Sequence, residues 1–161
     1  MVRSGAMALM LLLAGGCSMA NNPEGATKEE PRDLKVERIS AGAPGQGPEK
    51  PQVIVAPSAD VLSGATSTDV PDLGEGTYLA AYWGERPTGG YSLAAESARL
   101  EGNRVAVRLT LKKPPRGAIL TQALTYPYAV AVVRDLDPRG KRFSFTDQNG
   151  TDLGWPVRLV S

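Results

Sequence analysis

The fold is decided by the stretch RVAVRLTL, residues 104–111. Its large apolar side chains fall at every second position, and polar or small side chains fall between them. Because successive side chains of a β-strand point to opposite faces, this alternation predicts a strand with one buried and one solvated face. The same period of two recurs along the chain from Val53 onward, so we expect a mainly β domain.

Three further segments extend this series of strands. Residues 78–83, YLAAYW, are apolar on both faces, which predicts a central strand covered on each side. Residues 119–124 and 128–133 are also apolar and are expected to form strands. Pro127 lies between them and cannot donate a backbone hydrogen bond, so this point is expected to be an edge, a bulge or a crossover.

One short helix and a C-terminal hairpin complete the predicted architecture. The helix is predicted over residues 58–63, because Ser58 is a favourable N-cap and Gly64 a stop signal. Asn149-Gly150 is a preferred pair for two-residue type I′ turns and predicts a hairpin within residues 141–160. The sequence therefore predicts a mainly β fold of seven or eight strands, an antiparallel two-layer sandwich or half-open barrel with one short helix.

The beginning of the chain predicts export. A basic residue precedes an uncharged run rich in Leu and Met over residues 6–16, which is typical of a signal peptide. The run is shorter than the ~20 apolar residues that a transmembrane helix needs. Residues 13–17, LAGGC, resemble a bacterial lipobox, which implies a signal peptide over residues 1–16 and a lipidated Cys17. A plain cleaved signal with an unmodified cysteine is the alternative.

The mature chain is predicted to be a tethered single domain. Residues 17–32 are polar and typical of a flexible tether, which at ~15 residues spans roughly 20 Å. A single domain is expected over residues 33–161, although the Gly- and Pro-rich residues 41–51 would also suit a longer linker. Residues 34–40 carry a weak strand pattern that the sequence does not decide. We expect an exported protein of the cell envelope, lipid-anchored to the outer membrane or the cell surface.

The amino-acid composition excludes several kinds of catalytic and metal-binding site. The chain has no histidine and one cysteine, which excludes Ser-His-Asp and Cys-His catalytic sites and the usual zinc ligand sets. Its 18 basic and 17 acidic residues give a net charge of +1, so nucleic acid is not an expected partner. The sequence positions no carboxylate pair for acid–base catalysis, and the spacing of Asp147, Asn149 and Asp152 does not match a calcium loop. We predict neither an enzyme nor a metal or cofactor site.

The segment RPTGGY, residues 86–91, is the main candidate for binding. Pro87 fixes its own φ, whereas Gly89 and Gly90 can adopt positive φ, so the segment can hold a shape that ordinary sequence cannot. A presented loop is one interpretation, and a tight hairpin whose Tyr91 packs inward is the other. The predicted partner-binding residues are Arg86, Pro87, Thr88, Gly89, Gly90 and Tyr91, with Tyr126 and Tyr128 as a second aromatic pair beside the loop.

Two ordered motifs carry a family resemblance. GERPTGGY at residues 84–91, followed by TQALTYPY at residues 121–128, resembles the C-terminal domain of the protease-complex subunit PrcB family. The resemblance covers residues 78–133 and extends loosely back to Val53. It implies a non-catalytic accessory or adapter subunit that binds an exported protease or another envelope protein.

An inhibitor is the alternative that the same loop suggests. Chagasin-type inhibitors of cysteine proteases carry a similar Pro-Thr-x-Gly-Tyr skeleton on an immunoglobulin-like sandwich. The other two inhibitory loops of that family are not recognisable here. No second glycine-rich wedge is found, and residues 154–156 read GWP where that family has the order Arg-Pro-Trp.

Overall fold

The computed structural model describes residues 30–161, which contain nine strands and one helix. The predicted signal peptide, Cys17 and nearly all of the tether lie outside the described residues. The elements are β1 Arg32–Leu34, β2 Val36–Gly42, β3 Gln52–Ala56, α1 Ala59–Thr66, β4 Thr77–Tyr82, β5 Ser92–Glu101, β6 Arg104–Lys112, β7 Tyr128–Val133, β8 Arg142–Thr146 and β9 Val157–Leu159. Residues 34–40, which the sequence left open, thus contribute to two strands.

The strands form two sheets that pack face to face. One sheet has the order β1-β5-β6-β8 and the other β2-β7-β4-β3-β9. The larger core lies between them and contains alternate residues of both sheets, such as Val55, Leu79, Val107 and Leu109. This arrangement confirms the predicted mainly β sandwich with one short helix, and the described strands do not close into a barrel.

The alternation in residues 104–111 is confirmed in β6. Val105, Val107 and Leu109 are fully buried, while Arg104 and Arg108 are exposed. Burying one such aliphatic side chain stabilises the fold by about 1.5–3 kcal/mol relative to leaving it in water. These three side chains therefore determine which face of the four-stranded sheet packs against the core.

The prediction of a central, doubly covered strand is also confirmed. β4 lies between β7 and β3, and five of its six residues are buried. Its outer face is covered by α1, whose Ala59 and Leu62 join a second core with Ile54 and Tyr78. No helix within residues 30–161 is long and apolar enough to cross a membrane.

One side of the sandwich is held together where β2 meets β5. Both strands carry a register shift there, between Arg38 and Ser40 on β2 and between Ala95 and Ser97 on β5. Arg38 Nε donates to the carbonyl oxygen of Ala95 at 3.0 Å, and the same guanidinium pairs with a neighbouring glutamate of β5. At the irregular stretch of β5, the Ala95 carbonyl oxygen thus accepts its hydrogen bond from Arg38 of the other sheet.

The helix is longer than predicted. Ser58 Oγ accepts a hydrogen bond from the Val61 amide, which confirms the N-cap. Gly64, however, does not end the helix, which continues to Thr66 and is terminated by Ser67 at φ 54°. An exposed glycine inside a helix only lowers its stability, by roughly 1 kcal/mol, whereas a residue in the left-handed region ends it.

Two predicted strand arrangements are wrong. Residues 119–124 form no strand and lie along the surface. The hairpin predicted within residues 141–160 forms only around its turn, where Thr146 and Asp152 make an antiparallel bridge and the amide of Leu153 donates to the carbonyl oxygen of Phe145. Its predicted return strand is wrong, because β8 pairs in parallel with β6 while β9 pairs in parallel with β3 in the other sheet. In the Asn149-Gly150 turn, Asp147 Oδ1 accepts two backbone amides, and beyond Leu153 the chain crosses to the other sheet, where it forms β9.

Candidate functional site

Trp83 is the centre around which the RPTGGY loop is built. It follows β4 directly, is 7% exposed and packs in the main core. The ring of Tyr91 meets it edge to face with centroids 5.5 Å apart, and the guanidinium carbon of Arg86 lies 5.1 Å from its ring centroid. Both ends of the loop are thereby fixed to one buried indole.

Arg86 is a structural residue of the loop. Its Nη2 donates to the carbonyl oxygen of Trp83 at 2.6 Å, and its Nε is buried without a hydrogen-bond partner among the described residues. The guanidinium is thus partly buried, folded back onto its own chain and placed over the Trp83 indole. These contacts give Arg86 a structural role within its own loop, and its role in binding a partner stays a prediction.

A second segment of chain clamps the loop. The backbones of Arg86 and Thr125 exchange two hydrogen bonds, of 2.7 and 2.9 Å. Thr125 Oγ1 donates to the carbonyl oxygen of Thr88 at 2.8 Å, and the amide of Gly89 donates to the carbonyl oxygen of Thr121 at 3.2 Å. Residues 119–125 thus run antiparallel beside residues 86–91, and we call these two segments together the loop surface.

The two glycines of the loop are not equivalent. Gly90 has φ +85°, and a Cβ built on it would lie 2.8 Å from Pro114 Cβ and 3.0 Å from Leu120 Cδ2. Gly89 lies outside the positive-φ region, and the nearest atom to its Cβ, Thr121 Cβ, is 3.9 Å away. Only Gly90 is required by the backbone, which corrects the expectation that both glycines use positive φ.

Exposed apolar side chains stand on the loop surface. Ile119 is fully exposed and Leu124 is 50% exposed, and Pro87 is exposed at the apex of the loop. Ile119 is next to Leu120, which packs on Gly90. Leu124 is next to Thr125, which pairs with Arg86, so both exposed side chains flank the loop. These exposed apolar side chains beside a clamped backbone make the loop surface a candidate contact surface for another protein.

Basic side chains border this apolar surface. Pro114, which packs against Gly90, belongs to the connection between β6 and the clamping segment, where Lys112, Lys113 and Arg116 are exposed. None of these three forms an ion pair with another described residue. These three side chains place positive charge beside the loop surface, whereas Arg104 lies at the opposite end of β6.

The two predicted tyrosines lie on different parts of the molecule. Tyr126 Oη donates to a Glu85 carboxylate oxygen at 2.9 Å, which together with partial burial raises the pKa of the phenol. Tyr126 therefore adjoins the loop surface through Glu85. Tyr128 instead points to the outer face of the five-stranded sheet, where its ring lies 6.3 Å from that of Tyr82. Pro127 separates the two and is buried.

The carboxylates are used for structure. Asp137 forms a short ion pair with Arg139, which lowers the pKa of Asp137 to about 2. Asp147 accepts the backbone amides of Thr151 and Asn149, which lowers its pKa. Within residues 30–161, no three carboxylate, cysteine or histidine side chains come together as a metal-binding group.

The sequence did not predict that residues 119–124 belong to this site. Their apolar character predicts a strand, whereas the segment forms no strand and the side chains of Ile119 and Leu124 face solvent. The available signal was the motif TQALTYPY, residues 121–128, since it overlaps the clamping segment. This motif lacks the alternation of a strand, which is consistent with a segment that packs beside the RPTGGY loop.

Comparison with known proteins finds a family match over the segment that contains the loop surface. Residues 77–134 match the family model described as PrcB C-terminal. The match begins with β4 and ends just after β7, so it includes both segments of the loop surface. It confirms the family resemblance drawn from the two motifs, over a little more than a third of the chain. No curated protein and no solved structure matches the chain significantly.

Proposed function

We propose, from the premise that residues 77–134 belong to the PrcB C-terminal family, that this chain is a non-catalytic accessory subunit of an exported protease complex. The family supports association with a protease complex and hence a protein partner. In this proposal the loop surface docks the partner, and a lipidated Cys17 holds the domain at the cell envelope, on the outer membrane or the cell surface.

The observation that carries the docking role is the pair of exposed apolar side chains on the clamped backbone. Ile119 and Leu124 expose aliphatic surface beside a loop that hydrogen bonds and Gly90 hold in one shape. Binding to such a surface costs little conformational entropy, because the backbone is already ordered before the partner arrives. The exposed Lys112, Lys113 and Arg116 suit a partner with acidic groups around an apolar contact.

The test measures recovery of the partner by variants of this surface. The full-length protein is cross-linked in intact cells, purified, and the attached proteins are identified. Ile119→Asp and Leu124→Asp should each reduce recovery of an exported peptidase at least tenfold, because each removes apolar contact and buries a charge. Leu159→Asp is the matched control, since Leu159 is also 50% exposed but lies on the edge strand β9.

Two results would contradict the proposal. Unchanged recovery by both loop-surface variants would move the docking site elsewhere, and attached proteins that include no peptidase would remove the protease complex. The inhibitor alternative is checked in parallel with the same protein. Inhibition of a papain-like protease below micromolar concentration, lost in Gly90→Val, would replace the accessory role with a chagasin-like one.

A further inference from the structure

A second site lies on the outer face of the five-stranded sheet. A cleft of about 640 Å³ opens there between the C-terminal end of α1 and the loop that follows β2, and we call it the outer cleft. Its volume is within the range of about 300–1,000 Å³ that is usual for ligand sites. Nothing in the loop surface lines it, so this inference is independent of the proposed docking role.

The floor of the outer cleft is a row of side chains across the sheet. Strand register places Gly42, Tyr128, Tyr82 and Gln52 directly beside one another on β2, β7, β4 and β3. Arg158 of β9 continues the row, since it pairs with Ile54, two residues along β3 from Gln52. Strands lie about 4.8 Å apart, so the row is roughly 19 Å long, or about six residues of an extended peptide.

The chemistry of the row suits an extended peptide. The rings of Tyr82 and Tyr128 are half-buried, with centroids 6.3 Å apart and planes tilted by 32°. Alternate side chains on one face of an extended peptide are about 6.6 Å apart, which matches this spacing. Gln46 and Gln52 border the cleft, and their amides can both donate to and accept from peptide backbone groups.

The charge at one end of the row selects the terminus of the peptide. Arg158 is the one charged side chain that lines the outer cleft in the described part of the chain. Its Nη2 makes a weak 3.4 Å contact with the Ala65 carbonyl oxygen, so the side chain spans from β9 to α1 and closes that end. Most of its five N–H donors are left for a ligand, and a guanidinium binds a carboxylate bidentately.

We infer that the outer cleft binds the C-terminal segment of an extended peptide. Two alternate apolar side chains lie over Tyr82 and Tyr128, and the terminal carboxylate lies on Arg158. A peptide that continued past this end would meet the Arg158 side chain, so a free carboxylate fits better than an internal acidic residue.

The probe is Gly-Leu-Gly-Leu-Gly-Gly-Gly, labelled with fluorescein at its amino terminus, with either a free carboxylate or a terminal amide. Its leucines lie three and five residues before the last residue, which corresponds to the positions of Tyr82 and Tyr128 relative to Arg158. Binding to the full-length protein is measured by fluorescence anisotropy. The free acid should bind at least about tenfold more tightly than the amide, as expected for a charge-assisted hydrogen-bonded pair. Arg158→Gln should abolish this difference. Arg142→Gln, at an exposed position of β8 in the other sheet, is the matched control and should preserve it.

Three outcomes would overturn the inference. One is that neither peptide binds at about 1 mM, and another is that both bind equally in wild type and Arg158→Gln. The third is binding of a neutral oligosaccharide such as chitotetraose but of neither peptide, which would make the row of aromatic and amide side chains a sugar site. Ile119→Asp should bind the free-acid probe normally, so failure of the docking proposal would leave this test intact.

Discussion

Replacing Gly90 by alanine tests whether the loop surface is held in one backbone shape. A residue with a Cβ at φ +85° costs about 1–2 kcal/mol. The new methyl group would also lie 2.8 Å from Pro114 Cβ, and because a proline ring cannot rotate away, the resulting overpacking adds about 1–3 kcal/mol. The alanine restricts the unfolded chain, which returns about 0.4–1 kcal/mol. Together these effects lead us to expect that Gly90→Ala lowers the free energy of unfolding by about 1–5 kcal/mol.

The neighbouring glycine provides the control for this measurement. Gly89→Ala introduces the same methyl group one residue earlier, where the backbone needs no positive φ and the nearest atom is 3.9 Å away. It should therefore be neutral or stabilising by up to about 1 kcal/mol. Urea unfolding of both variants, with equal m-values, gives the comparison. Equal losses for the two variants, or no loss in Gly90→Ala, would refute the argument from backbone conformation.

Two further predictions concern the anchor and the acid response. Cys17→Ser should abolish incorporation of a labelled fatty acid, and wild-type protein that takes up no label would disprove the lipoprotein assignment. Hydrogen bonds from Arg134 and Lys35 lower the pKa of Glu37 from 4.5 to about 2. Its stabilising effect is therefore complete above about pH 5 and lost as the pH falls toward 2. The urea midpoint of Glu37→Gln should lie below that of wild type at pH 7 and meet it near pH 2, whereas a gap independent of pH would contradict the pairing.

Much of the fold follows from the sequence because burial and strand period act together. In β6 every second residue enters the core, and in β4 both faces do, so each strand shows its environment in its composition. For the C-terminal strands β8 and β9, the sequence pattern does not indicate which strand each one pairs with. β8 and β9 each pair in parallel with a strand distant in sequence, and the Asn149-Gly150 turn specifies a local reversal without specifying which sheet the chain enters next.

The candidate sites were less predictable for a related reason. Residues 119–124 have the composition of a strand, and their exposure follows from backbone hydrogen bonds that attach the segment to the RPTGGY loop. Arg86 is of a residue type that often anchors a partner at a protein surface, and its partial burial here follows from the position of Trp83. In both cases a tertiary contact decides which side chains reach solvent, and sequence period carries no information about such contacts.

The segment Tyr126-Pro127-Tyr128 shows how one sheet supports two separate surfaces. The carbonyl oxygen of Pro127 accepts the amide of Trp83, which fixes the start of the loop surface. Tyr126 then turns toward Glu85, while Tyr128 enters β7 and faces the outer cleft. The loop surface depends on backbone contacts beyond the end of β4, whereas the floor of the outer cleft depends on register within the sheet. The two adjoin at Tyr126, whose amide donates to the carbonyl oxygen of Pro44 in the wall of the cleft, but they are lined by different side chains. A protein partner on the first and a peptide terminus on the second are therefore compatible occupants of the same molecule.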